Sequence, residues 1–175
     1  MALTAEELSQ IERHLLATPD IIKAPKKKPR MHWESNLVAD YAAEHYPNAL
    51  RWRRVQVGAI PAGKDPKMYG HLRRWADLVV YDGKEVIIIE AKMKPAPGAI
   101  SQLLLYMQLF PKTPEFSLYK QKPLRGVVLT TMEDIEVRSL AEAQGLDYEI
   151  YSPSWVRNYW DIQLGNSAST KPRTQ

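Results

Sequence analysis

Two acidic residues and a lysine, Asp77, Glu90 and Lys92, have the types and spacing of a site for phosphate chemistry. They lie at the ends of apolar segments, where carboxylates are costly unless a cation neutralises them. A hard divalent ion with oxygen ligands does this efficiently, and it also activates water and polarises a phosphoryl oxygen. The sequence therefore predicts a Mg²⁺ or Mn²⁺ site at Asp77 and Glu90, with Lys92 adding positive charge.

The two acids depend on a predicted β-hairpin to bring them together. Asp82-Gly83 is a pair typical of a tight hairpin turn. A two-residue loop pairs Asp77 with Ile88 and leaves Glu90 diagonal to Asp77, about 7 to 8 Å away between backbones. A four-residue loop keeps the acids on one face, whereas a three-residue loop separates them. The structural alternative is a surface ion-pair ladder, because any Glu-x-Lys on a strand puts both charges on one side.

The segments around this hairpin alternate between helical and extended patterns, which predicts an α/β fold with a mixed central sheet of four or five strands flanked by helices. Both faces of the hairpin are apolar, with Trp75 expected on the face of Val79, so the hairpin should be central in a covered sheet. The predicted elements are helices over 32–45, 98–110 and 135–144, strands over 51–60, 71–81, 84–92, 124–131 and 148–151, a loop over 61–70 and a helical turn near Trp155.

Glu34 lies in the predicted helix over 32–45, on the stripe that contains Leu37, Val38 and Tyr41. That stripe should point inward, and a carboxylate among core residues needs a partner. The alternative is a favourable place in the first helical turn, where negative charge suits the helix dipole. Both interpretations stay open at the level of sequence.

Composition removes several classes of protein. The 175 residues fit one domain, and the absence of cysteine excludes disulfides, thiolate catalysis and cysteine-ligated metal clusters. No zinc-helix or phosphate-loop motif is present, and no apolar run is long enough for a membrane span. Glu6 and Glu7 interrupt the position of a signal peptide, so a cytoplasmic protein is expected. The net charge of +4 favours a polyanionic partner.

Asp77, followed after twelve residues by Glu90-Ala91-Lys92, resembles the motif of the PD-(D/E)XK nuclease superfamily. A Glu-bearing helix precedes this motif, and a helix with Gln102 and Tyr106 follows it. The Gln-x-x-x-Tyr element is similar to that of the RecB-type exonuclease branch. The resemblance spans about residues 31–131. Ala76 stands where the motif has proline, and the absence of cysteines excludes the iron–sulfur subgroup.

The resemblance implies a role for each motif residue. Asp77 and Glu90 would ligate the metal, and Ala91 would offer its backbone carbonyl as a further ligand. Lys92 would orient water or stabilise the transition state. Glu34 would match the acidic residue of the first core helix.

Three further residues take implied roles. His32 is a rival to the helix glutamate, because RecB-type members often have histidine there. Gln102 and Tyr106, one turn apart on a helix face, would contact substrate or buttress the site. Without the resemblance, Tyr106 would be an ordinary core residue and Gln102 a solvated one.

A basic surface is expected beside the strand that carries Asp77. A flexible arm over residues 23–30 could also reach phosphate, and its alternative is a solvated linker. The residues predicted to contact DNA are Lys64, Lys67, Arg73, Arg74 and Lys94.

The resemblance implies a restriction-endonuclease-like fold and a Mg²⁺- or Mn²⁺-dependent deoxyribonuclease, with internal or terminal cutting left open. The rivals are a catalytically inactive DNA-binding or assembly protein and a dimeric Holliday junction resolvase. DNA is the expected partner, with no membrane, and three assemblies stay open: a chain that acts alone, a homodimer, and a subunit of a larger DNA-processing complex. The predicted organisation is an N-terminal helix and basic linker over 1–30, a nuclease-like domain over 31–165 and a flexible tail over 166–175.

Overall fold

A five-stranded sheet forms the centre of the computed structural model, which describes residues 32–61 and 63–165. The strands follow one another across the sheet in chain order, β1 to β5. The first three are antiparallel, whereas β3, β4 and β5 are parallel. The strands are β1 (Leu50–Val57), β2 (Arg74–Tyr81), β3 (Val86–Lys92), β4 (Leu124–Thr130) and β5 (Asp147–Ile150).

Helices cover both faces of this sheet. The helices are α1 (Trp33–His45), α2 (Pro66–Gly70), α3 (Pro97–Leu109), α4 (Ile135–Ala143) and α5 (Trp155–Gln163), with 3₁₀ turns at Phe110–Lys112 and Pro114–Tyr119. Buried residues of α1 and α5 pack with one set of strand side chains, and those of α3 and α4 pack with the other set. The prediction of an α/β fold with a mixed central sheet of four or five strands flanked by helices is confirmed, with the hairpin strand β3 at the centre of the sheet.

The hairpin between β2 and β3 has a longer loop than predicted. Tyr81 pairs with Val86, so the loop has four residues and the register is shifted by two positions. The side chain of Asp82 accepts the backbone amides of Lys84 and Glu85 at 2.8 and 2.9 Å, which closes this loop. The pairing of Asp77 with Ile88 is therefore wrong, since Ile88 pairs with Val79.

The shift preserves the relationship on which the site depends. A displacement of two residues leaves the paired side chains of residues 78–81 on their predicted faces of the strand. The β2–β3 pairs end with Leu78 opposite Ile89, so Asp77 and Glu90 are the residues next to the last pair on their strands. The two acids therefore lie at the same end of the hairpin.

An irregularity at Arg54 and Asp77 interrupts the side-chain alternation in β1 and β2. Arg54 has a φ of 48°, in the left-handed region, within an otherwise extended strand. In β2, Ala76 and Val79 join the same buried cluster, although residues three apart normally face opposite sides. The alternation therefore reverses at this point. The expectation that Trp75 shares the covered face of Val79 is wrong, and Trp75 is 53% exposed.

Two further corrections concern helices. The predicted loop over 61–70 contains the short helix α2, capped by the side chain of Asp65, which accepts the amide of Lys67 at 2.8 Å. The helical turn near Trp155 extends to Gln163, because its apolar residues pack against the face covered by α1. The predicted N-terminal helix, basic linker and C-terminal tail lie outside the described residues. None of the helices in the described part of the chain is long and apolar enough to cross a membrane.

Candidate active site

The site begins where β2 separates from β3. Pairing between these strands ends at Leu78 and Ile89, whereas β3 stays paired with β4 as far as Lys92. Asp77 occupies the point of separation, and its Oδ2 accepts the backbone amide of Ala91 at 3.0 Å. A carboxylate thus takes the place of a strand partner for that amide. This contact fixes the Asp77 carboxylate beside the end of β3.

Glu90 is a buried carboxylate with one satisfied oxygen. Only 3% of the Glu90 surface is exposed. Its Oε1 accepts a hydrogen bond of 2.6 Å from the ammonium of Lys92. Among the described residues, no hydrogen-bond partner reaches Oε2, although this atom is buried. Burial, followed by the negative charge of Asp77, raises the pKa of Glu90 from 4.5 to about 7, and Lys92 opposes that rise. The site therefore needs additional positive charge to keep Glu90 ionised.

Lys92 supplies part of that charge. Burial of the side chain alone would lower its pKa, but the hydrogen bond and charge of Glu90 outweigh burial and raise it. The charges of Glu34 and Asp77 act in the same direction. Lys92 therefore remains an ammonium ion at neutral pH, held beside the two acids.

Tyr106 of α3 faces the same acids. Tyr106 is 6% exposed, and burial followed by the charges of Glu90 and Asp77 raises its pKa to about 12. Its hydroxyl thus remains protonated at neutral pH. Gln102, one turn earlier on α3, is exposed. The predicted helix carrying both residues is present, and the role of Gln102 stays a prediction.

An open cavity of about 610 Å³ adjoins Asp77 on the side of α1. His32 and Glu34 both line it, and both are exposed at the start of that helix. The inward, core position considered for Glu34 is therefore wrong, because its side chain is exposed at the cavity. Since both side chains reach the cavity, the choice between them as the helix ligand stays open.

The residues of the predicted basic surface differ in their exposure to solvent. Lys64, Lys67 and Arg74 are exposed, and Lys94 is exposed in the wall of the cavity. Arg73 does not belong to this surface, because it is buried. Its guanidinium binds Glu115 through Nη1 and Nη2 at 2.7 and 2.8 Å and also donates to the carbonyl of Gln56.

Several cavity residues were missed at the level of sequence. Arg53, Arg54, Trp33 and Trp75 line the cavity, in addition to the predicted residues. The available signal was the mixture of basic and aromatic residues in 51–54 and 73–75. Such mixtures are typical of surfaces that bind nucleic acid, but they also occur in ordinary strands.

The donor set at Asp77 and Glu90 fits a hard divalent cation. The carboxylate of Asp77 lies near enough to raise the pKa of Glu90, and within the described residues no donor reaches Oε2 of Glu90. Mg²⁺ is commonly held by one or two carboxylates and several waters. No group of three or more histidine, cysteine, aspartate or glutamate side chains within residues 32–61 and 63–165 has the arrangement of a metal site. A bound ion would therefore depend on water and on backbone carbonyls.

Comparisons with solved structures give distant similarities. A structure described as an EndoMS–dsDNA2 complex has 18% sequence identity and a TM-score of 0.46, covering 74% of this chain and 49% of that chain. A repair endonuclease from Pyrococcus abyssi has 16% identity and a TM-score of 0.44, with coverages of 74% and 50%. A Vibrio cholerae protein has 18% identity and a TM-score of 0.42, with coverages of 75% and 31%.

The chain spans about half the length of the first two of these structures and less than a third of the Vibrio cholerae protein. No family model matches the chain, and no curated protein matches it.

Proposed function

We propose that the chain is a metal-dependent nuclease that hydrolyses phosphodiester bonds of DNA at Asp77, Glu90 and Lys92. The observation that carries this proposal is the buried Glu90 carboxylate, near the carboxylate of Asp77 and with Oε2 unpartnered among the described residues. A fold retains such an arrangement at a cost in stability. That cost is offset when a cation binds between the acids. This dependence on a bound cation distinguishes a functional site from a structural ion pair.

The proposed roles follow from the position of each group. A bound Mg²⁺ or Mn²⁺ would activate water and polarise the scissile phosphoryl group. Asp77 and Glu90 would hold the ion, and Ala91 would add its carbonyl. Lys92 keeps an ammonium beside Glu90, where it would stabilise the charge that develops on the phosphoryl oxygens. Tyr106, protonated at neutral pH, would buttress the acids from the side of α3.

DNA is the proposed substrate because positive charge surrounds these acids. The chain has a net charge of +4. The exposed Arg74 is close to Asp77 in the sequence, and the exposed Lys94 lines the same cavity as Asp77. Cations that neutralise phosphates release counterions and supply affinity for nucleic acid. An acidic site with a cationic border suits a substrate whose scissile group is itself an anion.

The test is a cleavage assay with the purified full chain. Supercoiled, linear, nicked and branched DNA are each incubated with Mg²⁺, with Mn²⁺ or with EDTA. We expect cutting only with metal, and its loss in Asp77→Asn, Glu90→Gln and Lys92→Met. The matched controls are Glu136→Gln and Lys84→Ala, which change exposed residues of the same types on α4 and in the hairpin loop. If folded variants of all three site residues cut at the wild-type rate, the proposal fails.

A second candidate is a DNA-binding protein of the same fold without catalysis. The observation that favours it is the lack, in the described part of the chain, of a third acidic or histidine side chain arranged with Asp77 and Glu90. Calorimetric titration of Mn²⁺ separates the two candidates. DNA binding without metal uptake and without cleavage would support the second candidate. The resolvase would instead be supported by selective cutting of four-way junctions, together with light scattering that shows the chain to be a dimer.

A further inference from the structure

The cavity beside Asp77 is lined by aromatic rings and cations in addition to His32, Glu34 and smaller side chains. Trp33, Trp75 and Tyr159 contribute aromatic rings, and Arg53, Arg54 and Lys94 contribute cations. Its volume of about 610 Å³ lies within the usual range for sites that hold small organic ligands. Rings in a cationic, open cavity suit a ligand that carries both flat apolar surfaces and negative charge.

Trp75 is the most accessible of these rings. It is 53% exposed, although its neighbour Ala76 is completely buried in the core. The guanidinium carbon of Arg54 lies 5.9 Å from the centre of the Trp75 ring. This contact holds a cation and an aromatic surface together at the cavity wall, and a base stacked on the ring would lie next to that cation.

The backbone of Arg54 supports a functional interpretation of this pair. A φ of 48° is unfavourable for a residue with a side chain, yet the strand pairs on both sides, at Arg53 and Val55, are intact. The same irregularity reverses the alternation in β2 and turns Trp75 away from the core. Local strain of this kind is concentrated at binding and catalytic sites. Here it places both members of the pair in one cavity.

We propose that this cavity binds an unpaired nucleotide of single-stranded DNA next to the phosphate at Asp77. The base would stack on Trp75, and Arg53, Arg54 and Lys94 would contact the backbone. The proposal rests on the proposed function for its choice of DNA, and it specifies the class of substrate. A duplex hides the faces of its bases, so the exposed ring would be used only by an unpaired strand or a frayed end.

The test measures binding rather than cutting. A fluorescent single strand of about 12 nucleotides, within the site size of single-strand-binding proteins, is compared with the duplex of the same sequence. Anisotropy is measured with the full chain in EDTA, so that metal-dependent cleavage does not interfere. We expect tighter binding of the single strand, roughly ten-fold weaker binding by Trp75→Ala, and near wild-type binding by Trp75→Phe, which retains a ring.

An arginine variant and a lysine control add a second comparison to this test. Arg54→Gly removes the cation at a position where glycine fits the backbone, so it should fold and bind the single strand several-fold more weakly. Lys122→Ala is the matched control, because its ammonium lies 5.7 Å from the ring of Tyr81, and neither residue lines the cavity. We expect Lys122→Ala to bind as the wild type does.

The outcomes separate this inference from the proposed function. Equal affinity for single strand and duplex, or unchanged binding by folded Trp75→Ala and Arg54→Gly, overturns the cavity as a single-strand site even if the chain cuts DNA. Loss of single-strand binding in these variants, with no cleavage under any metal condition, supports the cavity and contradicts the nuclease activity.

Discussion

The carboxylate of Asp77 accepts the backbone amide of Ala91 at 3.0 Å, at the place where β2 leaves β3. Ala91 follows Glu90 directly, so this single contact positions one acid relative to the backbone of the other. A side chain at a strand split can thus do two things. It satisfies an amide that would otherwise lack a strand partner, and it holds a negative charge beside a buried one.

Substitutions at Asp77 should separate these two roles. Asp77→Asn keeps an oxygen that accepts the Ala91 amide but removes the charge, so we expect near wild-type stability and loss of metal-dependent cleavage. Asp77→Ala also leaves the amide unpaired and should lower the free energy of unfolding by about 1 kcal/mol. Urea denaturation and a cleavage assay measure both effects. Asp82→Asn is the control, since Asp82 also accepts backbone amides but lies in the hairpin loop. An active Asp77→Asn would contradict the assignment.

The raised pKa of Glu90 predicts a pH-dependent stability. Because its pKa is about 7 in the folded chain and ordinarily 4.5, the stability it contributes is fully present below pH 4.5 and is lost as pH rises through 7. At pH 8 in EDTA, the free energy of unfolding of Glu90→Gln should therefore exceed that of the wild type by at most about 3 kcal/mol. At pH 4.5 the two proteins should unfold at nearly the same urea concentration. The exposed Glu136→Gln should show no such difference. An equal effect of Glu90→Gln at both pH values would contradict this prediction.

Divalent metal should stabilise the wild-type chain. A cation that binds the folded site and not the unfolded chain raises stability as its concentration exceeds the dissociation constant. We expect Mn²⁺ or Mg²⁺ to raise the melting temperature at pH 8, and this rise to disappear in Asp77→Asn. Differential scanning fluorimetry with increasing metal, and with Ca²⁺ as a hard cation of larger radius, measures the effect. An identical rise in wild type and variant would place any bound metal elsewhere.

Much of the fold could be predicted from sequence because its signals are local. The Asp77 and Glu90 segments are apolar strands with a turn pair between them, and Pro97 begins α3 where the proline pattern indicated a helix. The useful inference was the dependence of the side-chain faces on the number of residues in the hairpin loop. A hairpin loop of two or four residues leaves the same side-chain alternation, so Asp77 and Glu90 could be expected at one end of the hairpin although the loop length was not predicted.

The parts that could not be predicted depend on tertiary contacts. The positive φ of Arg54 has no signal in an arginine-rich segment, and it decides that Trp75 faces a cavity instead of the core. The burial of Arg73 depends on Glu115, which follows forty-two positions later in a 3₁₀ turn. Charge alone grouped Arg73 with the exposed lysines, because sequence does not tell which cation finds an acidic partner.

Arg73 should therefore act on stability. Its two hydrogen bonds to Glu115 and its bond to Gln56 are made by a side chain that is only 6% exposed. We expect Arg73→Ala and Glu115→Ala each to lower the free energy of unfolding by about 3 kcal/mol, since Glu115→Ala leaves the buried Arg73 cation without its acidic partner. A double-mutant cycle should give a coupling energy of about 1 to 3 kcal/mol. The exposed Arg74→Ala should leave stability unchanged and weaken DNA binding. A stable Arg73→Ala with weakened DNA binding would restore the sequence-based prediction.

The strain at Arg54 predicts an unusual order of stabilities. A left-handed backbone disfavours most side chains by about 1 to 2 kcal/mol, and glycine removes that cost at the expense of greater freedom in the unfolded chain. Arg54→Gly should therefore be as stable as the wild type or more stable, by at most about 1 kcal/mol. Arg54→Val should be less stable by about 1 to 2 kcal/mol, although valine normally favours strands, because a β-branched side chain resists positive φ. Urea denaturation of both variants measures this order. A valine variant more stable than the glycine variant would show that Arg54 adopts an ordinary extended conformation in solution.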